Sequence, residues 1–304
     1  MRSSVGKALG AVRARARRAA FFAARMVRQD LVARNSYSPV PAVERGDDPW
    51  SRSASLVGVD VDLGAQLDFF DSALGPYLSE FAPPEEPTAE GEFYLWNEYY
   101  QAVDAHVLYA MIRHLKPGRV LELGSGFSTL VMAEGCARNA SDGHACELIS
   151  VDPKPRTPLR PGAHARIERR RAESLPLERY LELAPGDVLF VDTSHAVKLG
   201  SEVNMIILEV LPRLRPGVVV HFHDIFLPFE YPRAWFERGT YPSEQYLLHA
   251  FLIENRGYEI LLAVHALCRD HPDRVAAAIP TLETDRENYP SAFWLVRLDG
   301  ATAS

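Results

Sequence analysis

The chain has 304 residues, of which 47% are hydrophobic and 24% charged, with a formal net charge of −7. That is ordinary globular material with room for a sizeable core, and it gives no global reason to expect nucleic acid as a partner. Three cysteines, Cys136, Cys146 and Cys268, make neither a metal spacing nor a disulfide framework, which points to a reducing, cytoplasmic setting.

Residues 1–34 carry eight arginines and Lys7 against one acid, Asp30. Val5, Leu9, Val12, Ala16 and Ala20 recur at helical spacing, so the segment reads as a basic amphipathic arm. Such an arm packs on the body or on a partner subunit in an oligomer, lies on a membrane surface, or is cleaved as a transit peptide. Residues 35–92 read as a linker and helical N-terminal extension. They are Pro/Ser/Asp-rich to 60, helical around 64–80, and broken again at Pro83-Pro84-Glu85-Glu86-Pro87. No apolar run reaches the roughly 18 residues of a membrane span. Asn139-Ala140-Ser141 matches a glycosylation acceptor, but without a secretory signal the match is read as chance.

From 93 to 304 the pattern is that of one α/β domain. A helix from about 97 carries Tyr100, Val103, Val107 and Met111 on one side. Strands at 119–123, 147–151, 165–168, 187–191 and 217–222 then alternate with helices at 127–137, 174–183 and 200–213. Strands that are continuous apolar runs belong to a parallel sheet covered on both faces. A helix at 243–256 precedes two further β-like runs, Tyr258–Leu267 and Ala292–Leu298, with a helical piece near 271–279 between them. They read as a reversed pair at the sheet edge.

The stretch Val120-Leu121-Glu122-Leu123-Gly124-Ser125-Gly126-Phe127-Ser128-Thr129-Leu130 is a strand breaking into a glycine turn and then a helix. A dinucleotide fingerprint needs a third glycine where Thr129 stands, which disfavours an NAD-dependent oxidoreductase. The second strand ends in Asp152, a carboxylate at the sheet edge where open α/β sheets bind ligands.

Glu-x-Gly-x-Gly at 122–126, the Ser-Thr that follows and Asp152 together resemble class I S-adenosylmethionine-dependent methyltransferases. The resemblance covers about residues 93–298. It implies a Rossmann-like, mostly parallel sheet with helices on both faces and an antiparallel C-terminal strand. It implies S-adenosylmethionine as cofactor, with Glu122 toward the methionine amino group and Gly124, Ser125 and Gly126 letting the backbone approach. Ser128 and Thr129 then stand at the helix start, Asp152 on the ribose and Glu173 beside the adenine.

The fourth strand ends Asp192-Thr193-Ser194-His195 and the fifth His221-Phe222-His223-Asp224, at the same edge as the cofactor. This resembles the cation-dependent O-methyltransferases, in which a fourth-strand Asp and a fifth-strand acidic pair hold a divalent metal. Asp192 and Asp224 match as cofactor-side and Mg²⁺-binding residues. Ile225 stands in the pair's second place and cannot bind metal, which tilts the reading toward metal-free chemistry. His195 is then the general base, its ordinary pKa near 6.5 suiting proton removal. Asp224 orients a histidine or accepts the proton itself, His223 packs beneath the site, and His221 belongs to the strand.

In methyltransferases of this build the regions at 93–100 and 226–246, aromatic here, supply a lid and an acceptor pocket. The resemblance implies that role toward a small or sugar-containing metabolite; by themselves the same aromatics also read as a helix core and a packed loop. Asp60-Val61-Asp62 lies in the linker and is set aside as a nucleotide-sugar motif. The competing reading is a non-catalytic protein of the same fold, or a membrane-apposed assembly factor, in which the basic arm is the working part.

Overall fold

Alternation along the strands decides which side of the sheet each residue serves. Val120, Val188 and Phe190 point to one buried cluster, with the Ala102–Leu115 and Phe127–Ser141 helices. Leu121, Leu189 and Val191 point to the other, with residues 202–214 and the Glu244–Leu252 helix. The computed structural model describes residues 46–160, 162–279 and 289–299, with isolated positions between 15 and 43.

Seven strands form one sheet: β1 (Arg119–Leu123), β2 (Glu147–Val151), β3 (Arg166–Glu168), β4 (Val188–Val191), β5 (Val219–Phe222), β6 (Tyr258–Ala263) and β7 (Phe293–Arg297). Their order is β3-β2-β1-β4-β5-β7-β6. The first five pair in parallel. β7 runs antiparallel to both β5 and β6, so only the last strand is reversed. The Rossmann-like sheet with an antiparallel C-terminal strand is therefore present. The reversed pair is corrected to one reversed strand, inserted between β5 and an edge strand.

Three other expectations shift. The run Tyr258–Leu267 is strand only to Ala263; from Val264 to Asp270 it is helix, as its Ala and Leu content favours. The helix expected from 97 begins at Ala102. Before it, the Asn97 side chain accepts from the backbone N–H groups of Tyr99 and Tyr100 and donates to the carbonyls of Tyr94 and Tyr100. A side chain that satisfies the backbone locally competes with helix.

The third concerns boundaries. The chain divides into Met1–Asp47 and Asp48–Ser304, not at 92/93. The extension is built into the sheet's unit: Ser53 bridges Phe229, Trp50 Nε1 donates to the Tyr231 carbonyl at 3.0 Å, and Gln66 accepts from the Ala263 N–H at 2.8 Å. Asp62 does helix work, accepting the Ala65 N–H at 2.9 Å. In the first unit the described residues between 15 and 26 are helical. The rest of the 1–34 arm, with its packing, membrane and transit readings, lies outside the described residues. Among the described residues no helix is long and apolar enough to cross a membrane.

Candidate active site

Parallel strands deliver their C-terminal ends to one edge, and the backbone ladder continues one residue past them. Gly124 N–H donates to the Val151 carbonyl, Asp192 N–H to Leu123 and His223 N–H to Val191, at 2.9–3.0 Å. The tips of β1, β4 and β5 are thus held side by side.

At the β1 tip the two glycines serve different needs. Gly124 has φ +96°, and the space its Cβ would need is taken by the Asp192 carbonyl. Gly126 has nothing within 4 Å of that position, so it leaves open room beside the helix start. Thr129 Oγ1 accepts from the Gly126 N–H at 3.1 Å and donates to Glu122 at 2.7 Å, so this threonine closes the turn where a dinucleotide fold carries glycine. Ser128 also donates to Glu122, at 2.7 Å, and Ser150 makes a third hydroxyl contact. Glu122 has no exposed surface. Burial pushes its carboxyl up to about 7, against the pull of those three hydroxyls.

Asp152 stands half-buried beside this turn, accepting the Ser125 N–H at 2.8 Å and the Lys154 N–H at 2.6 Å on separate oxygens. A carboxylate has about four lone-pair positions, so each oxygen keeps capacity for a hydroxyl. Glu173 is half-buried and ion-paired with Arg171.

The β4 and β5 tips bring the histidines and acids together. His195 Nε2 lies 3.2 Å from both Asp192 and Asp224, and its Nδ1 lies 2.9 Å from Glu244. Burial lowers a histidine's pKa, but here Asp224, Asp192 and Glu244 outweigh it and hold His195 well above its ordinary range. The expectation of an unperturbed imidazole is corrected accordingly. His195 and Asp224 both have left-handed backbones, φ +54° and +59°, which non-glycine residues rarely adopt. Such conformations survive where the surroundings over-determine them. Here the His195 carbonyl accepts from the N–H groups of both Ser243 and Glu244, and Asp224 accepts from Ser291 Oγ at 3.1 Å.

His223 stacks on Tyr100 at 4.8 Å, and it reaches the acids of the site instead of only packing under them. Its Nδ1 faces Asp224 at 3.4 Å and Asp192 at 3.9 Å, while Nε2 faces Asp104 at 3.4 Å. Burial opposes its charge, yet Asp224 and Asp192 raise its pKa to about 9. Donor atoms of Asp192, His223 and Asp224 lie within 4.8 Å of one another, close enough to share one cation. Sequence reasoning looked for the third donor after Asp224, at Ile225, which is buried and apolar. The group that stands near Asp192 and Asp224 is the residue before, His223. Glu244 was missed altogether; it is wholly buried, 49 residues from His195, and nothing local in the sequence marks it.

Beyond Asp224, Gln245 fastens the loop that follows: it accepts the Phe226 N–H at 3.0 Å and donates to the Phe229 carbonyl at 3.2 Å. Phe226, Tyr231 and Trp235 pack on one another there. On the other side Tyr94 and Tyr99 pack around Phe127, with Arg156 4.1 Å over the Tyr99 ring. The two aromatic stretches therefore fold as ordered walls.

Residues 121–225 match the family described as a methyltransferase domain, the segment that runs from β1 through the β5 tip. An uncharacterised protein of Archaeoglobus fulgidus is 30% identical over 134 residues, covering 41% of this chain and 59% of its own length. The chain thus spans less than two thirds of that curated relative. Among solved structures, the CmcI structure with Mg and SAM in its name has 15% identity and TM-score 0.42, over 90% of this chain and 100% of its own. The Bacillus cereus O-methyltransferase in complex with SAH has 12% identity and TM-score 0.35, over 78% and 92%. TomG, an O-methyltransferase from Streptomyces achromogenes in complex with SAM, has 15% identity and TM-score 0.33, over 83% and 100%. No residue's role is carried across at these levels. The resemblance to class I methyltransferases is borne out by the matched segment, which holds the glycine turn, Asp152, Asp192, His195 and Asp224.

Proposed function

We propose that this chain uses S-adenosylmethionine to methylate an oxygen of a small-molecule acceptor. The observation that carries the reading is His195, held by Glu244 on one nitrogen while the other faces Asp192 and Asp224 at the sheet edge. The three acids fix the ring and favour its charged form. His195 therefore serves as base after losing that proton, a loss that a positively charged sulfonium beside the same carboxylates would promote.

S-adenosylmethionine, when bound, supplies a methyl group on a positively charged sulfur. The chain offers it open room at Gly126, two carboxylate oxygens at Asp152 and an excess of acid at the reacting edge. Asp104, Asp192, Asp224 and Glu244 surround only two imidazoles, so a cationic centre fits there. Asp152 would hold the ribose and Glu173 would flank the adenine. Glu122 braces the turn through Ser128, Thr129 and Ser150, with its carboxyl behind the methionine end. His195, once it has given up the proton its acidic neighbours hold on it, would take the acceptor hydroxyl's proton at Nε2, while bound S-adenosylmethionine would supply the methyl group. Glu244 fixes the ring through Nδ1. Asp192, Asp224 and His223 would hold a divalent cation, which would lower the acceptor hydroxyl's pKa. The walls at 93–100 and 226–246 would shape the acceptor pocket.

Calorimetry with S-adenosylhomocysteine and NAD separately tests the cofactor, and methyl transfer to a panel of phenols, catechols and sugars tests the activity. Binding of NAD in place of S-adenosylhomocysteine would refute the reading. Cofactor binding without turnover on any hydroxyl acceptor would favour the non-catalytic alternative.

A further inference from the structure

His223 is placed as a ligand whose partners on both nitrogens are already arranged. Its Nε2 points at Asp104, a buried carboxylate fixed by the N–H groups of Ser291 and Ala292 at 2.9–3.2 Å. Asp104, 3.4 Å from Nε2, is the carboxylate toward which a proton on that nitrogen would be held, and a neutral ring protonated on that side leaves its other nitrogen with a lone pair. That nitrogen, Nδ1, faces Asp192 and Asp224. With a proton on Nδ1 the ring pairs with both carboxylates. A bound cation would displace that proton and take Nδ1 and the two carboxylates as ligands, whose donor atoms lie within 4.8 Å of one another. The carboxylate–histidine–cation relay is the arrangement that sets the tautomer and basicity of a metal-bound imidazole. Tyr100, stacked on the ring, fixes its plane.

We propose that Asp192, His223 and Asp224 form a mixed nitrogen–oxygen site that selects a transition-type divalent cation, Mn²⁺ or Co²⁺, over Mg²⁺, with Asp104 positioning His223. This deepens the proposed function, resting on its assignment of these three side chains to a cation. An all-oxygen donor set suits Mg²⁺ and Ca²⁺, whereas an imidazole in the set favours later metals. The glycine turn and Asp152 take no part in that choice.

The test uses the full chain, stripped with chelator and loaded with Mn²⁺, Co²⁺ or Mg²⁺ alone, without cofactor or acceptor. Co²⁺ should bind on the order of 100-fold more tightly than Mg²⁺. Spin-echo spectra of the Mn²⁺ form should show coupling to an imidazole nitrogen. His223→Asp should abolish that coupling and weaken Co²⁺ at least about tenfold while strengthening Mg²⁺, a gain that misfolding cannot imitate. Asp104→Asn should weaken Co²⁺ by about 10–100-fold with the nitrogen coupling retained. Three results would overturn the proposal: no metal bound by the stripped wild type, Mg²⁺ as tight as Co²⁺, or nitrogen coupling that persists in His223→Asp and so belongs to His195. S-adenosylhomocysteine calorimetry on the same samples separates the two readings. Metal selectivity without cofactor binding fails the methyltransferase reading alone, and cofactor binding without metal fails this one.

Discussion

The carbonyl oxygen of Asp192 occupies the space that a Cβ on Gly124 would fill, so the β1 and β4 tips touch only because residue 124 has no side chain. Gly124 also has a positive φ, whereas Gly126, at φ −166°, is extended and opens onto free space. The two glycines therefore predict opposite phenotypes. Gly124→Ala should destabilise the fold by about 2 kcal/mol or more, from strain and overpacking together. Gly126→Ala should melt within about 2 °C of wild type, a surface-sized effect. It should bind S-adenosylhomocysteine at least about tenfold more weakly, because a methyl group then stands in the cofactor's room. Thermal unfolding and calorimetry on both variants check this; equal affinity in Gly126→Ala would move the cofactor away from the turn.

Asp152 predicts a binding loss. Charge-assisted hydrogen bonds to a ligand are worth roughly 1.5–3 kcal/mol, so Asp152→Ala should weaken S-adenosylhomocysteine about tenfold or more. Asp152 also accepts the Ser125 N–H, so some loss comes through the turn. Asp152→Asn keeps an acceptor for that N–H but loses the charge. Weakened binding in the asparagine variant at unchanged melting temperature would assign the loss to the ligand.

These positions show what the sequence could disclose. The glycine turn, Asp152, Asp192, His195 and Asp224 were legible because each sits at a strand end, and a parallel sheet sends all such ends to one edge. One helix start fared worse, since Asn97 spends its side chain on local backbone and delays the helix expected from 97 to Ala102. Glu244 and Asp104 were not legible. They reach the site from helices far along the chain, and only tertiary packing turns their carboxylates toward His195 and His223. The two glycines of the turn looked alike in sequence, and only the Asp192 carbonyl tells them apart.

The base and its holder predict a split in the kinetics. Removing a general base typically costs 10²–10⁴-fold, so His195→Ala should lower turnover by at least about 100-fold with S-adenosylhomocysteine affinity nearly intact. Glu244 touches only His195 among the site residues, and it makes that contact from full burial. Glu244→Gln should keep the ring in place yet lower turnover at least about tenfold with little change in acceptor KM, because the imidazolium loses its charged partner. Single-turnover methyl transfer measures both. A Glu244→Gln enzyme as fast as wild type would confine Glu244 to holding the loop.

Glu122 predicts a pH dependence of stability. Burial raises its folded pKa to about 7 from an ordinary value of 4.5, so the folded state holds its proton more tightly than the unfolded chain does. The stability tied to that proton is complete below pH 4.5 and is lost as pH rises through about 7. At about 1.4 kcal/mol per pKa unit, the loss is on the order of 3 kcal/mol. Glu122→Gln removes the ionisation while leaving an amide oxygen for the hydroxyls of Thr129 and Ser150 and an amide N–H that donates to Ser128 Oγ. Relative to this variant, wild type should lose stability between pH 5 and pH 8, read as a fall in the difference of their urea midpoints. A constant difference across that window would mean that Glu122 ionises inside the fold without penalty. The three hydroxyls would then outweigh its burial.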